Sequence, residues 1–275
     1  MTPPRPAWLA VDVGNSRVKF VLFGDDFATS PSGLPECLAA WSLALDQPIP
    51  WQDIQQAVER VASAVRPVIA GSNQSGVDRV IAAWPEALSP KPHVVRSSEG
   101  FPLEIAVDQP RRVGLDRVLS AVAAAVITRK QQPAVIVDCG TATTINLMRA
   151  DGAFLGGAIL PGFALSSQAL HHYTEVLPLV SIAQIVDVSP ETQGHAALGK
   201  NTQAAIMSGI FWGQVGAVRE LTARLREQVD GEPRLLLSGG GSRLLVPHLT
   251  GATHYPYLAL QGLVLVAAMA FAPRR

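Results

Sequence analysis

The sequence predicts an α/β protein in two halves, each opened by a β-meander and continued by a mixed layer of helices and strands. Three observations lead there. Two apolar strands each run into an aspartate-glycine loop: Leu9-Ala10-Val11-Asp12-Val13-Gly14-Asn15-Ser16 and Val135-Ile136-Val137-Asp138-Cys139-Gly140-Thr141-Ala142-Thr143-Thr144. The aspartates lie 126 positions apart, so one device is written twice. Between the two copies the hydrophobic period changes from alternating to helical, and 275 residues exceed the usual size of one domain.

The elements follow in order. After the first loop, Arg17-Val18-Lys19-Phe20-Val21-Leu22-Phe23 alternates and then turns apolar, as a strand does on entering a covered sheet. Leu34, Leu38, Trp41 and Leu45 are spaced for one helical face, as are Ile54, Val58, Val61 and Val65, and Val77, Val80, Ile81 and Trp84. Short apolar runs at Pro67-Val68-Ile69-Ala70 and His93-Val94-Val95 are further strands. Trp41, Trp51 and Trp84 are expected in the core, because no basic stripe accompanies them as a base-stacking platform would require.

An apolar helix runs from Val113 to about Thr128, and Gln131-Gln132-Pro133 closes it. The expected domains are therefore 1–127 and 128–275. In the second, Val135–Val137, Thr143–Met148 and Ala153–Ile159 form the meander, and Asn201 caps a long helix through Ile206, Ile210, Val218, Leu221 and Leu225. Its glycines, Gly209, Gly213 and Gly216, imply either close approach of another backbone or a kink. A strand at Arg234–Leu237 ends in the turn Ser238-Gly239-Gly240-Gly241, a helix starts at Arg243, and a buried helix from Leu258 closes the domain.

Composition bounds the function. Hydrophobic residues are 48% and charged residues 16%, which is core-forming and not disordered. Twenty-two basic and twenty-two acidic residues cancel, so no global field draws the chain to nucleic acid or an anionic membrane, and phosphate binding has to be local. Cys37 and Cys139 form no CxxC and suit a reducing cytoplasm. Cys139, inside the second loop, is either a reactive thiol or a small buried residue at a strand end. The start, Met1-Thr2-Pro3-Pro4-Arg5-Pro6, has no apolar stretch of an export signal. The run from Leu258 to Ala272 is shorter than the roughly 20 residues that span a bilayer, and the six histidines fit no zinc spacing.

The chemistry sits in the loops and in one helix start. A strand, an aspartate, a glycine and then hydroxyl or amide residues place carboxylate, N–H and O–H groups at one turn, where a triphosphate and its cation fit; as a single copy, the same residues make an ordinary hairpin turn. Neither loop is GxxxxGK[ST] or GxGxxG. Asp12 and Asp138 could hold cations or their waters, and Asn15, Ser16, Thr141 and Thr143 offer donors. Lys19 shares a strand face with Arg17 and could reach a phosphate, or is a solvated strand residue. In Gln109-Pro110-Arg111-Arg112-Val113-Gly114-Leu115-Asp116-Arg117, Asp116 falls in the first turn of the apolar helix. There it either complements the helix dipole, worth about 0.3–1 kcal/mol, or holds an alcohol and takes its proton.

These segments, together with Gly156-Gly157-Ala158-Ile159-Leu160-Pro161-Gly162 and Gly199-Lys200-Asn201-Thr202, resemble in content and order the signatures of type III pantothenate kinases, from residue 9 to about 266. That family belongs to the acetate and sugar kinase, Hsp70 and actin superfamily. The resemblance implies two ribonuclease-H-like (actin-like ATPase) domains of mixed sheets flanked by helices, with ATP in a cleft between them. It implies that Asp12, Val13, Gly14, Asn15, Ser16, Arg17, Val18 and Lys19 line the ATP phosphates, with Thr141 on the nucleotide. It also implies that Asp138 holds a monovalent cation, K⁺ or NH₄⁺, and that Mg²⁺ accompanies ATP. Val107, Gly114, Leu115, Asp116, Arg117 and Thr202 would meet pantothenate, with Asp116 as base, in a cytoplasmic homodimer. Three departures stand out: Val107 where the family usually has tyrosine, Asn146 where it usually has aspartate, and Leu115 where alanine is commoner. Val107 and Asn146 motivate two alternatives, a non-catalytic regulatory accessory relative or a kinase for another small alcohol. An Hsp70-like chaperone would need a client-binding domain, for which 275 residues leave no room.

Overall fold

The computed structural model describes residues 5–27, 30, 32–186 and 195–271; Met1–Pro4 and Ala272 of the sequence reading lie outside them. The chain forms two compact units, one running to Arg129 and taking in the chain from Leu258, the other spanning Lys130–Tyr257.

The first unit contains β1 (Arg5–Val13), β2 (Arg17–Gly24), β3 (Cys37–Ala44), α1 (Trp51–Val61), β4 (Ala62–Gly71), α2 (Gln74–Ala82), β5 (His93–Val94) and α3 (Leu115–Ile127). The second contains β6 (Ala134–Cys139), β7 (Ala142–Met148), β8 (Phe154–Pro161), α4 (Phe163–His172), α5 (Ile182–Val186), α6 (Thr202–Arg226), β9 (Arg234–Ser238), α7 (Ser242–Leu245) and β10 (Ala252–His254). The last helix, α8 (Leu258–Phe271), returns to the first unit.

Each unit has a five-stranded sheet of the same design. The orders are β3-β2-β1-β4-β5 and β10-β9-β6-β7-β8. In both, three strands form an antiparallel meander, and the remaining two run parallel to the first strand of that meander. The central strands are apolar throughout, as strands covered on both faces must be: Leu9, Val11, Phe20, Leu22 and Ile69 in the first unit, and Val135, Val137 and Leu237 in the second, are wholly buried. Ile54 and Val58 of α1 and Val77 and Val80 of α2 pack onto the first sheet. Trp51 bridges Phe20 and Trp84 edge to face at 5.5 and 5.3 Å, so the tryptophans serve the core. Asn201 caps α6, its side-chain oxygen accepting the Ala204 N–H at 2.8 Å.

Four expectations change. Val65, read on one helical face with Ile54, Val58 and Val61, lies on β4, because α1 ends at Val61 and the chain continues as a strand paired with β1. The stretch read as a helix through Leu38 and Trp41 is the strand β3, antiparallel to β2. Ala39, Trp41, Leu43 and Leu45 face the core with period two, while Leu38, which completed the helical spacing, is 45% exposed. The helix expected from Val113 begins at Leu115, and Pro110 starts a separate 3-10 turn, Pro110–Arg112. Finally, the helix from Leu258, expected in domain 128–275, packs against α3 and β1 of the first unit. A Cβ on Gly262 would lie 1.9 Å from the Leu119 carbonyl oxygen, so the glycine lets the two helix backbones touch.

Candidate active site

The two aspartate loops are the same hairpin at two lengths. In the first, β1 and β2 pair so that Asp12 stands opposite Lys19, and the Gly14 N–H donates to the Arg17 carbonyl at 3.0 Å. In the second, Asp138 stands opposite Thr144 and the Gly140 N–H donates to the Ala142 carbonyl at 3.0 Å. The second loop is one residue shorter, so the position across from its aspartate carries a hydroxyl and no cation. Directly opposite residues on an antiparallel pair have side chains about 4.5–5.5 Å apart at Cβ, which sets Lys19 beside Asp12 at the mouth of the first loop. Asp12 and Asp138 are half-buried, and Gly140 and Thr141 are exposed at the tip. Val13 and Val18 are buried hairpin residues, while Asn15 and Ser16 are exposed. Arg17 is engaged with β3: its Nε donates to Ser42 Oγ at 2.9 Å and its Nη2 to the Ser42 carbonyl at 3.1 Å.

Asp116 is placed by the start of α3. Gly114 precedes the helix without a side chain to cap it, and the Arg117 N–H donates both to Asp116 Oδ1 at 2.9 Å and to the Gly114 carbonyl at 3.1 Å, a shared bond of the kind common at helix ends. A Cβ on Gly114 would meet that same oxygen at 2.7 Å, so glycine leaves the carboxylate its place. Burial lowers the pKa of the Arg117 guanidinium, and the adjacent Asp116 charge works against that shift. Arg117 stays cationic next to the carboxylate.

Within the first unit these pieces meet. Asp12, Gly71, Leu115 and Asp116 line one crevice, together with Leu260 and Leu263 of α8. An aspartate-glycine loop and a carboxylate at a helix start thus share walls, with apolar α8 side chains lining one side. The α8 lining is absent from the sequence reading, since leucines carry no chemical signature; Gly262, breaking an apolar run, is the one mark of close packing there. Val107 is half-buried in the segment before the 3-10 turn.

In the second unit, Thr202 lies at the start of α6 and lines a groove of about 790 Å³ with Leu170, Tyr173, Ile206, Gly209 and Gln214. Gln214, also missed from sequence, is a buried hub. Its Oε1 accepts from Thr143 Oγ1 at 3.0 Å and its Nε2 donates to the Pro161 carbonyl, so α6 braces the second hairpin. Asn146 is buried on β7 and donates to Thr144 Oγ1 at 3.1 Å. Cys139 is 2% exposed, and burial first, then Asp138, push its thiol pKa far up. It is the small buried residue of a strand end and not a reactive thiol.

A repeated ribonuclease-H-like sheet with an acidic loop after the first strand of each copy defines a protein of the actin-like ATPase fold. The profile of the type III pantothenate kinase family matches residues 8–224. A type III pantothenate kinase of Ruegeria sp. (strain TM1040) is 33% identical over 238 residues, covering 85% of each chain, and that of Dehalococcoides mccartyi is 30% identical over 280 residues, covering 95% of this chain and 97% of its own. The chain belongs to the type III pantothenate kinase family. Among solved structures it resembles a conserved Baf family protein of Campylobacter jejuni described as a transcriptional activator (TM-score 0.55, 19% identity, 95% of this chain and 98% of that one). It also resembles the activator of the 2-hydroxyisocaproyl-CoA dehydratase from Clostridium difficile with bound ADPNP (TM-score 0.51, 10% identity, 96% and 95%). At those identities the likeness speaks to fold.

Proposed function

We propose that the chain transfers the γ-phosphoryl group of ATP to the primary hydroxyl of pantothenate, giving 4'-phosphopantothenate, the first step towards coenzyme A. The observation that carries this reading is the crevice in which Asp12 and Asp116 share walls. Phosphoryl transfer asks mainly for positioning and charge neutralisation. Asp12, Gly14, Asn15, Ser16 and Lys19 would cradle the phosphates. Asp116 would accept the proton of the attacking hydroxyl, and Arg117, with Val107, Gly114 and Leu115, would hold the polar arm of pantothenate. Carboxylate oxygens suit Mg²⁺, which keeps waters and phosphate oxygens as its other ligands, and when bound with ATP it spreads the charge of the transferring group.

Asp138 would hold a monovalent cation, with Thr141 on the nucleotide; its carboxylate lies against the main chain at Gly239, where a Cβ would come within 2.5 Å of Oδ1. With potassium replaced by sodium the rate should fall, and Asp138→Ala should lose the response. Equal rates in both salts would remove the specific ion. The ADPNP in the Clostridium difficile activator supports a nucleotide on this fold.

A second copy of the chain is the occupant we assign to the groove of the second unit, with Thr202 at its rim. Tyr173, which lines the groove, is 82% exposed, and Val176 and Leu198 are 82% and 75% exposed, apolar side chains that a second copy would cover. Gly209 and Gly213 line the groove with open space where a Cβ would stand, leaving room for another backbone. Sedimentation at twice the chain mass is expected, and a monomer at micromolar concentration would refute it. Among the described residues no helix is long and apolar enough to cross a membrane, and the reading places the enzyme in the cytoplasm with ATP. The deciding experiment is ADP release from ATP with pantothenate and a panel of small alcohols: a response to pantothenate is expected, and a flat response across the panel would sink the kinase reading.

A further inference from the structure

The turn after β9 lies directly on the second aspartate loop. Gly239 has φ +86, and a Cβ there would stand 2.5 Å from Asp138 Oδ1 and 2.7 Å from the Cys139 nitrogen. The Gly241 N–H donates to the Cys139 carbonyl at 2.9 Å. Whatever fixes the turn therefore fixes the surroundings of Asp138.

Two side chains fix it. Ser242 is fully buried, and its Oγ lies 2.6 Å from the Gly239 carbonyl and 2.8 Å from His254 Nε2. A carbonyl can only accept and a hydroxyl has one proton, so Ser242 donates to Gly239. The remaining contact then requires His254 to donate from Nε2–H into the Ser242 lone pair, which sets the tautomer. His254 is held by its own strand: it pairs with Leu237 across β9 and β10, and the next N–H, of Tyr255, donates to the Leu237 carbonyl at 2.7 Å. The relay thus runs from the outer strand of the sheet, through two side chains, to the carbonyl of the residue seated on Asp138. Burial first, and the neighbouring Arg243 charge second, lower the pKa of His254, which keeps the ring neutral.

We propose that His254 and Ser242 are a positioning pair that holds the Gly239–Gly241 turn against Asp138, and through it the nucleotide side of the site, a role that rests on the kinase reading above. Neither residue touches the reacting atoms; both act through the turn.

ADP titration of the full chain by calorimetry tests this, with melting temperature and pantothenate KM measured alongside. His254→Ala and Ser242→Ala should each weaken ADP binding about threefold to tenfold, the loss of one net hydrogen bond, with pantothenate KM unchanged. The double variant should be no weaker than the worse single one, because both break one relay. His254→Gln, whose amide N–H reaches the position of Nε2–H, should restore ADP affinity. Unchanged ADP affinity in both alanine variants would overturn the pair, as would His254→Gln binding ADP as weakly as His254→Ala. If His254→Ala does not fold, Ser242→Ala and His254→Gln decide between the same outcomes. A wild-type protein that binds ADP but does not phosphorylate pantothenate would refute the acceptor assignment and leave the pair to be judged on ADP binding.

Discussion

Asp116→Asn should lower kcat by about 10² to 10⁴, the range general-base catalysis supplies, while nucleotide binding stays largely intact. The substitution is a clean one. The helix start uses Asp116 Oδ1 as an acceptor for the Arg117 N–H, and the asparagine amide oxygen accepts the same bond, so α3 keeps its first turn. What is lost is the basic lone pair and its charge beside Arg117. Steady-state turnover together with ADP titration checks the split. Near-normal kcat would remove Asp116 from the chemistry, and loss of both turnover and ADP binding would point to damage in the fold.

Gly262→Ala should be among the most destabilising single changes in the chain, costing about 3 kcal/mol or more. The added methyl would sit 1.9 Å from the Leu119 carbonyl oxygen and 2.7 Å from its carbon. Both atoms are main chain, so relief requires α8 and α3 to part. Because Asp116 lies in the first turn of α3 and Leu260 and Leu263 line its crevice, turnover should fall with stability. Gly216→Ala is the control: nothing lies within 4 Å of a Cβ there, and replacing a helical glycine should gain about 0.5–1 kcal/mol. Urea unfolding of the two variants gives the comparison, and equal midpoints would refute the close packing of α3 on α8.

Much of this was legible because it is local. Each aspartate loop is flanked by the two strands it joins, so the strand period and the glycine lie in one short window, and both hairpins are where the sequence puts them. Asn201 was readable as a cap for the same reason. β3 was not, because Leu34, Leu38, Trp41 and Leu45 satisfy a helical period while Ala39, Trp41, Leu43 and Leu45 satisfy a strand period, and only pairing with β2 decides between them. The allegiance of α8 was hidden by distance: Gly262 meets Leu119, a contact that no local pattern encodes. Likewise the site shows its carboxylates in the sequence but not its walls. Asp12 and Asp116 are recognisable by chemistry, whereas Leu260 and Leu263 become part of the crevice only once the chain has turned back.

That return of α8 bears on how the protein comes into being. The second unit is one continuous stretch and can condense as soon as its own residues are available. The first is interrupted by all of it and lacks a wall until α8 arrives. On a growing chain the Asp12 loop is made first, yet the crevice it shares with Asp116 is completed last, so the proposed site is closed only after the whole of the other unit has been synthesised.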